Sequence, residues 1–144
     1  MSVQQILRSK SNQGVVTLKP SATLSEAAAI LSEKRIGAII ISRDGTHPDG
    51  ILSERDIVRV LGKRGVTCMT DTVDGVMTAK LVTCTKSDSA DSVMQKMTDG
   101  RFRHMPVMDG AEMIGIISIG DVVKTRLAQL TMEKDALEGM IKGF

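Results

Sequence analysis

The sequence contains no tryptophan and no tyrosine, and its only phenylalanines are Phe102 and Phe144. Base stacking on aromatic side chains is therefore poorly supplied, which argues against a single-strand nucleic-acid binder. The chain also lacks a dominant charge: 19 Lys+Arg against 17 Asp+Glu leave a net charge of +2. That balance is not the basic footprint of a protein dedicated to nucleic acid. Cysteine and histidine are scarce too, with Cys68, Cys84, His47 and His104 as the whole supply. A structural zinc site takes about four such ligands at tight spacing, so no metal is expected and the thiols read as reduced. The longest apolar runs, Ala38 to Ile41 and Met113 to Ile119, fall far short of the ~20 residues a membrane helix needs. The N-terminal MSVQQILRSK has no apolar stretch of the signal-peptide kind, so a cytoplasmic location is expected, with no membrane partner.

What is present suits a soluble globular protein. The 144 residues are 42% apolar and 25% charged. Ten methionines must share the packing with Ile, Val, Leu and Ala, because aromatics are missing.

The chain repeats itself. GILSERDIVR at Gly50 to Arg59 lies over GIISIGDVVK at Gly115 to Lys124, with five of ten positions identical. Upstream, Val15 to Thr17 lies over Leu81 to Thr83, and Arg35 over Arg101. The lead-in VQQIL at Val3 rhymes with VDGVM at Val73. Each half then reads as strand, helix, strand, strand, helix. Thr23 and Ser89 cap the first helix of each unit, and Ala27, Ala28 and Leu31, or Val93, Met94 and Met97, form its apolar face. Asp44-Gly45 and Asp109-Gly110 mark the turn between the two apolar strands. The final helix is expected from about Asp121 toward Met140. The chain divides at residues 1–66, a first repeat with a lead-in helix, and 67–144, a second with an extended C-terminal helix. A unit of roughly 60 residues buries too little surface to stand comfortably alone. Two such units sharing a core about a pseudo-twofold axis give an α+β fold with two equivalent clefts, a geometry that suits small ligands.

The motif Ser-x-x-Asp closes both strand-to-helix junctions, as Ser53 to Asp56 and Ser118 to Asp121. Helix capping explains the pair in part, since Ser caps the helix and Asp offsets its positive end. The same helix N-terminus attracts phosphate, and an ionised carboxylate has two acceptor oxygens for vicinal ribose hydroxyls.

These segments, together with VVTLKPSATLSEAAAIL, VDGVMTAKLVT and RHMPVMDG, resemble a tandem pair from the cystathionine-beta-synthase (CBS) domain family, from about Val3 to Lys124. The resemblance implies two β-α-β-β-α repeats and a non-catalytic regulatory role, with adenine nucleotides (AMP, ADP, ATP or NAD-type ligands) bound between the repeats. Ribose would be held by Asp56 and Asp121, with Ser53 and Ser118 beside them. Val16, Thr17, Val82 and Thr83 match the strand that lines the adenine pocket. The apolar strand opposite implies a second wall from Ile39 and Ile40, and from Met105, Pro106 and Val107. Arg103 and His104 stand where basic residues face the other repeat's nucleotide, and Arg55 adds a further cation. Gly37 and Ala38 take the places of Arg103 and His104 in the first repeat, so the clefts are expected to be unequal, the Asp56 cleft favouring phosphate-rich ligands. A fuller set of partners for the Asp121 cleft would need Arg55 or Arg59 to reach across. The implied partners are a second copy of the chain and an effector protein. Two alternatives stand beside this: a nucleotide-hydrolysing enzyme using Asp and His, and an interaction module whose clefts are empty.

Overall fold

The structure, a computed structural model, describes residues 1–10 and 14–141. The first repeat comprises a lead-in helix α1 (Val3–Ser9), strand β1 (Thr17–Leu18), helix α2 (Leu24–Lys34), strands β2 (Ala38–Ile41) and β3 (Gly50–Ser53), and helix α3 (Glu54–Arg64). Two 3-10 turns, Val66–Thr70 and Val73–Gly75, lead into the second. There follow helix α4 (Ala90–Gly100), strands β4 (His104–Asp109) and β5 (Glu112–Ser118), and helix α5 (Ile119–Ile141).

Local chemistry fixes the helix ends. Thr23 Oγ1 accepts a hydrogen bond from Glu26 N–H at 3.1 Å, and Ser89 Oγ accepts one from Ser92 N–H at 3.0 Å. Both helices end on an arginine in the left-handed conformation, Arg35 at φ 53° and Arg101 at φ 56°. Glycine is the usual residue there, because a Cβ is strained in that region. Gly45 and Gly110, in the two Asp-Gly turns, do adopt positive φ.

The sheets are small. In the first, β1 runs parallel to β2 and β2 antiparallel to β3. In the second, β4 and β5 form an antiparallel hairpin with an irregularity between Val107 and Met108. The expected opening strand of the second repeat is reduced to one parallel bridge, Cys84 to Val107. Proline is the reason. Ile40 N–H donates to Val16 O at 3.1 Å in the first repeat. Pro106 stands at the equivalent place and has no N–H to give Val82.

Two apolar clusters form the core, and they do not follow chain order. Leu24, Ala27, Leu31, Ile39, Leu52 and Ile57 pack with Cys68 and Val73 from the second lead-in. Val93, Met97, Met105, Val107 and Ile117 pack with Val3 and Ile6 from the first. Each lead-in therefore completes the other repeat's core. Backbone bridges pin both crossings, Ser2 to Ser89 and Thr23 to Thr72.

This exchange explains the glycine at the start of each Gly-apolar-apolar-Ser strand. A Cβ on Gly50 would lie 2.4 Å from Met77 Sδ, and one on Gly115 would lie 2.9 Å from Leu7 Cδ2. Met77 and Leu7 are matched residues of the two lead-ins. The glycines make room for the crossing segments.

Both cysteines are free and buried, and burial pushes the Cys84 thiol up to about 11. The His47 loop is turn chemistry: the backbone N–H groups of His47 and Thr46 donate to Asp44, holding its carboxyl well below the usual range. No helix among the described residues is long and apolar enough to cross a membrane.

Candidate functional site

Each strand-to-helix junction presents its carboxylate to a cleft between the repeats. At α3, Ser53 N–H and Ser53 Oγ–H donate to Asp56 Oδ2 at 2.9 and 3.0 Å, and Asp56 N–H returns a bond to Ser53 Oγ at 3.3 Å. Arg59 Nη2 donates to Asp56 Oδ1 at 2.9 Å. At α5, Ser118 N–H donates to Asp121 Oδ2 at 2.8 Å and Asp121 N–H to Ser118 Oγ at 3.1 Å. Lys10 Nζ lies 2.9 Å from the same Oδ2. Burial pushes the Asp121 carboxyl up, but the bonds from Lys10 and from the Ser118 N–H outweigh it and the net shift is downward. The carboxylates thus serve as helix caps while still facing solvent-filled space.

The Asp56 cleft is about 580 Å3 and the Asp121 cleft about 720 Å3, both in the range of small-molecule pockets. Ser53, Arg55, Asp56, Val82, Arg103, His104 and Pro106 come together in the first. Val16, His104, Ser118 and Asp121 come together in the second. Every cleft therefore takes its carboxylate from one repeat and its opening strand from the other.

Six expected contacts are misplaced. Ile39, Met105 and Val107 are fully buried in the cores and reach neither cleft. Strand alternation is the reason, since His104 and Pro106 on one face of β4 put Met105 and Val107 on the other. Ile40 is also fully buried, and the first repeat's cleft wall is Ala38 instead. Thr17 and Thr83 follow the same rule, lining neither cleft where their neighbours Val16 and Val82 do. Arg55 and Arg59 do not reach across; both stay at the Asp56 cleft, and the Asp121 cleft draws on Lys10, Arg35 and Lys124.

Several lining residues lay outside the expected set, and Arg59 had been expected at the other cleft. Lys10, Arg35 and Lys124 enter one cleft, and Arg59, Lys80, Arg101 and Phe102 the other. A signal existed: Arg35 and Arg101 occupy the same repeat position, as do Lys10 and Lys80, three residues beyond the matched Leu7 and Met77.

His104 is common to both clefts. Its ring packs so closely on Gly37 that a Cβ there would lie 3.0 Å from Cε1. Burial lowers its pKa below the ordinary histidine value, against the opposite pull of Asp121 and Glu54.

A CBS-domain model matches residues 3–63 and 73–128. The chain belongs to the CBS-domain family. Its architecture, two repeats sharing two clefts, is that of a CBS pair. It is 40% identical to the CBS-domain protein ATU1752 of Agrobacterium tumefaciens, with a TM-score of 0.82 over 87% of this chain and 92% of that one. It is 34% identical over 125 residues to the mitochondrial CBS-domain protein CBSX3 of Arabidopsis thaliana. That match spans 84% of this chain and only 61% of the longer relative. The CBS-domain protein PAE2072 of Pyrobaculum aerophilum, solved in complex with AMP, is 25% identical with a TM-score of 0.74, covering 84% of this chain and 89% of that one.

Proposed function

We propose that this CBS pair is a non-catalytic regulatory module that binds adenine nucleotides (AMP, ADP, ATP or NAD-type) in two unequal clefts. Ligand binding would shift the gap between the repeats, and an effector protein would read that shift. The observation that carries the reading is that each helix-capping carboxylate shares its cleft with cations brought from the opposite repeat, Lys80, Arg101 and Arg103 beside Asp56 and Lys10 and Arg35 beside Asp121. The carboxylate suits two ribose hydroxyls, and the cations suit the phosphates that follow. The AMP complex of the Pyrobaculum relative supports the adenosyl part.

The first test is simple because the chain has no tryptophan or tyrosine. A 260 nm band in the purified protein, with the released molecule identified by mass, is the expected result for a co-purified nucleotide. Calorimetric titration with AMP, ATP, NAD and S-adenosylmethionine then ranks the ligands. Asp56→Ala and Asp121→Ala should each weaken binding at one cleft by about 30- to 150-fold, the effect of losing charge-assisted hydrogen bonds worth about 2–3 kcal/mol. Four flat titrations would overturn the reading and leave an interaction module.

We also infer a homodimer through α5. Its N-terminal part packs on α1, α4 and β5, but the helix is ~34 Å long and its far half is exposed. Val123, Leu127, Leu130, Leu137 and Ile141 are exposed at alternating three- and four-residue steps, with Lys134 filling the one polar position. That is a coiled-coil seam. Arg126 and Glu133 flank it one heptad apart. In an antiparallel pair that layers Leu127 on Leu130 of the partner subunit, Arg126 meets Glu133 of the partner subunit, and the reverse contact forms by symmetry. Light scattering should give a dimer for the wild type and a monomer for Leu130→Glu. A monomeric wild type would overturn the dimer.

A further inference from the structure

The two lead-ins end in the same residue, Lys10 in the first and Lys80 in the second. Because the lead-ins cross, each lysine enters the cleft whose carboxylate comes from the opposite repeat. The two lysines are nevertheless in different states. Lys10 Nζ is 2.9 Å from Asp121 Oδ2 and donates to Ile116 O at 2.7 Å, so it sits on the carboxylate itself. Lys80 is exposed on the rim of its cleft, and the Asp56 carboxylate is paired instead with Arg59 from its own helix. Asp121 and Lys10 are both mostly shielded, their side chains 23% and 30% exposed.

A nucleoside that takes Asp121 through its ribose must first displace Lys10. An ammonium on a four-carbon stem is free to move and binds phosphate as a point charge. Resting on the proposed adenosyl reading, we propose that Lys10 trades Asp121 for the ligand's phosphate, which makes it the residue that selects phosphorylated over unphosphorylated adenosines at the Asp121 cleft. Lys80 is its counterpart on the rim, a phosphate contact with no carboxylate to release. The two clefts then differ in kind. The Asp121 cleft rejects bare nucleosides, because adenosine breaks the Lys10–Asp121 pair and gives the lysine nothing back. At the Asp56 cleft the pair a ribose must open is Arg59–Asp56 within one helix, and Lys80 gains from phosphate without releasing a carboxylate of its own.

The test isolates each cleft by removing the other's carboxylate, with adenosine and AMP as probes in calorimetry. In an Asp56→Ala background, Lys10→Met should raise adenosine affinity about threefold and lower AMP affinity about tenfold, magnitudes of a partly shielded ion pair and of one lost charge-assisted contact. In an Asp121→Ala background, Lys80→Met should lower AMP affinity and leave adenosine unchanged. An AMP-to-adenosine ratio that Lys10→Met does not alter would overturn the selection. If neither nucleoside binds even the wild type, the adenosyl reading fails. The exchange is then read with inorganic tripolyphosphate alone, following the Asp121 carboxyl by carbon-13 NMR. Its titration should move upward when tripolyphosphate draws Lys10 away, and the same addition should not move it in Lys10→Met. A carboxyl indifferent to tripolyphosphate in the wild type would overturn the exchange itself.

Discussion

The two clefts are built from the same repeat and are not the same site. The Asp56 cleft is lined by Arg55, Arg59, Lys80, Arg101 and Arg103, the Asp121 cleft by Lys10, Arg35 and Lys124. Arginine and lysine at equivalent places account for three of these, and the surplus comes from single-repeat substitutions. Arg55 faces Gly120 in the alignment, and Arg103 faces Gly37. The strand beside each cleft also differs. Pro106 denies Val82 O the bond that Ile40 gives Val16 O, and both Val82 and Pro106 line the Asp56 cleft. The duplication supplied one framework, the carboxylate on a capped helix. The residues that differ between the repeats make the two linings unequal.

The largest expected effect removes that surplus. Arg55→Ala together with Arg103→Ala should lower ATP affinity at the Asp56 cleft by about 100-fold, two charge-assisted contacts at roughly 1.4 kcal/mol each. The Asp121 cleft should be unaffected, so titration of the double variant should give two similar weak sites in place of unequal ones. Unequal sites that persist would mean that the asymmetry lies in the strand or in Lys10, not in the arginines.

A second comparison concerns the two crossing points. Gly50 and Gly115 face Met77 and Leu7, but their margins differ. A Cβ on Gly50 meets Met77 Sδ at 2.4 Å and also the Thr78 carbonyl at 3.1 Å. A Cβ on Gly115 meets only the Leu7 side chain, at 2.9 Å to Cδ2. A side chain can turn aside; a backbone carbonyl held by the Ile51–Thr78 bridge cannot do so cheaply. Gly50→Ala should therefore cost about 2–3 kcal/mol in chemical denaturation and Gly115→Ala about 1 kcal/mol, the range of overpacking. Equal costs would mean that side-chain relief dominates at both points.

Much of this was legible in the residues. The internal match carried the repeat, the capping residues Thr23, Ser53 and Ser89, and both carboxylates, because a helix start has a local signature that needs no tertiary context. The lead-in exchange was not legible. VQQIL and VDGVM carry the same apolar pattern, and nothing in a pattern says which of two similar cores it will enter. The cleft walls failed for a narrower reason. Ile39, Met105 and Val107 were chosen as a run, whereas a strand offers only alternate residues to one side. Pro106 also cost the second repeat its opening strand, an effect visible only once the strands were paired. The cations at Lys10, Lys80, Arg35 and Arg101 could have been found by asking which polar residues recur between the repeats, because Lys10 matches Lys80 and Arg35 matches Arg101.

The smallest effect concerns what the clefts share. His104 lines both, while its counterpart Ala38 carries no proton. The groups facing it are Glu54 on α3, Asp121 on α5, Lys10 beyond α1 and Arg103 beside it. In the empty protein burial dominates and its pKa lies below the ordinary histidine value. The unfolded chain therefore binds the proton first as pH falls, so the contribution of His104 to stability is intact above about pH 6.5 and is lost as pH drops through its lowered folded value. A phosphate in either cleft reverses the balance by favouring the imidazolium. Binding then takes up a proton, and affinity rises as pH falls toward that folded value. The measurement is calorimetry in buffers of different ionisation enthalpy at about pH 6.5, where uptake should be a fraction of one proton and affinity should improve severalfold over about pH 8. His104→Gln should abolish the part of the uptake that the ligand's own phosphate does not supply. If it abolishes uptake at the Asp56 cleft alone, His104 belongs to one site. If it does so at both, a single proton links two clefts whose other lining cations are separate residues.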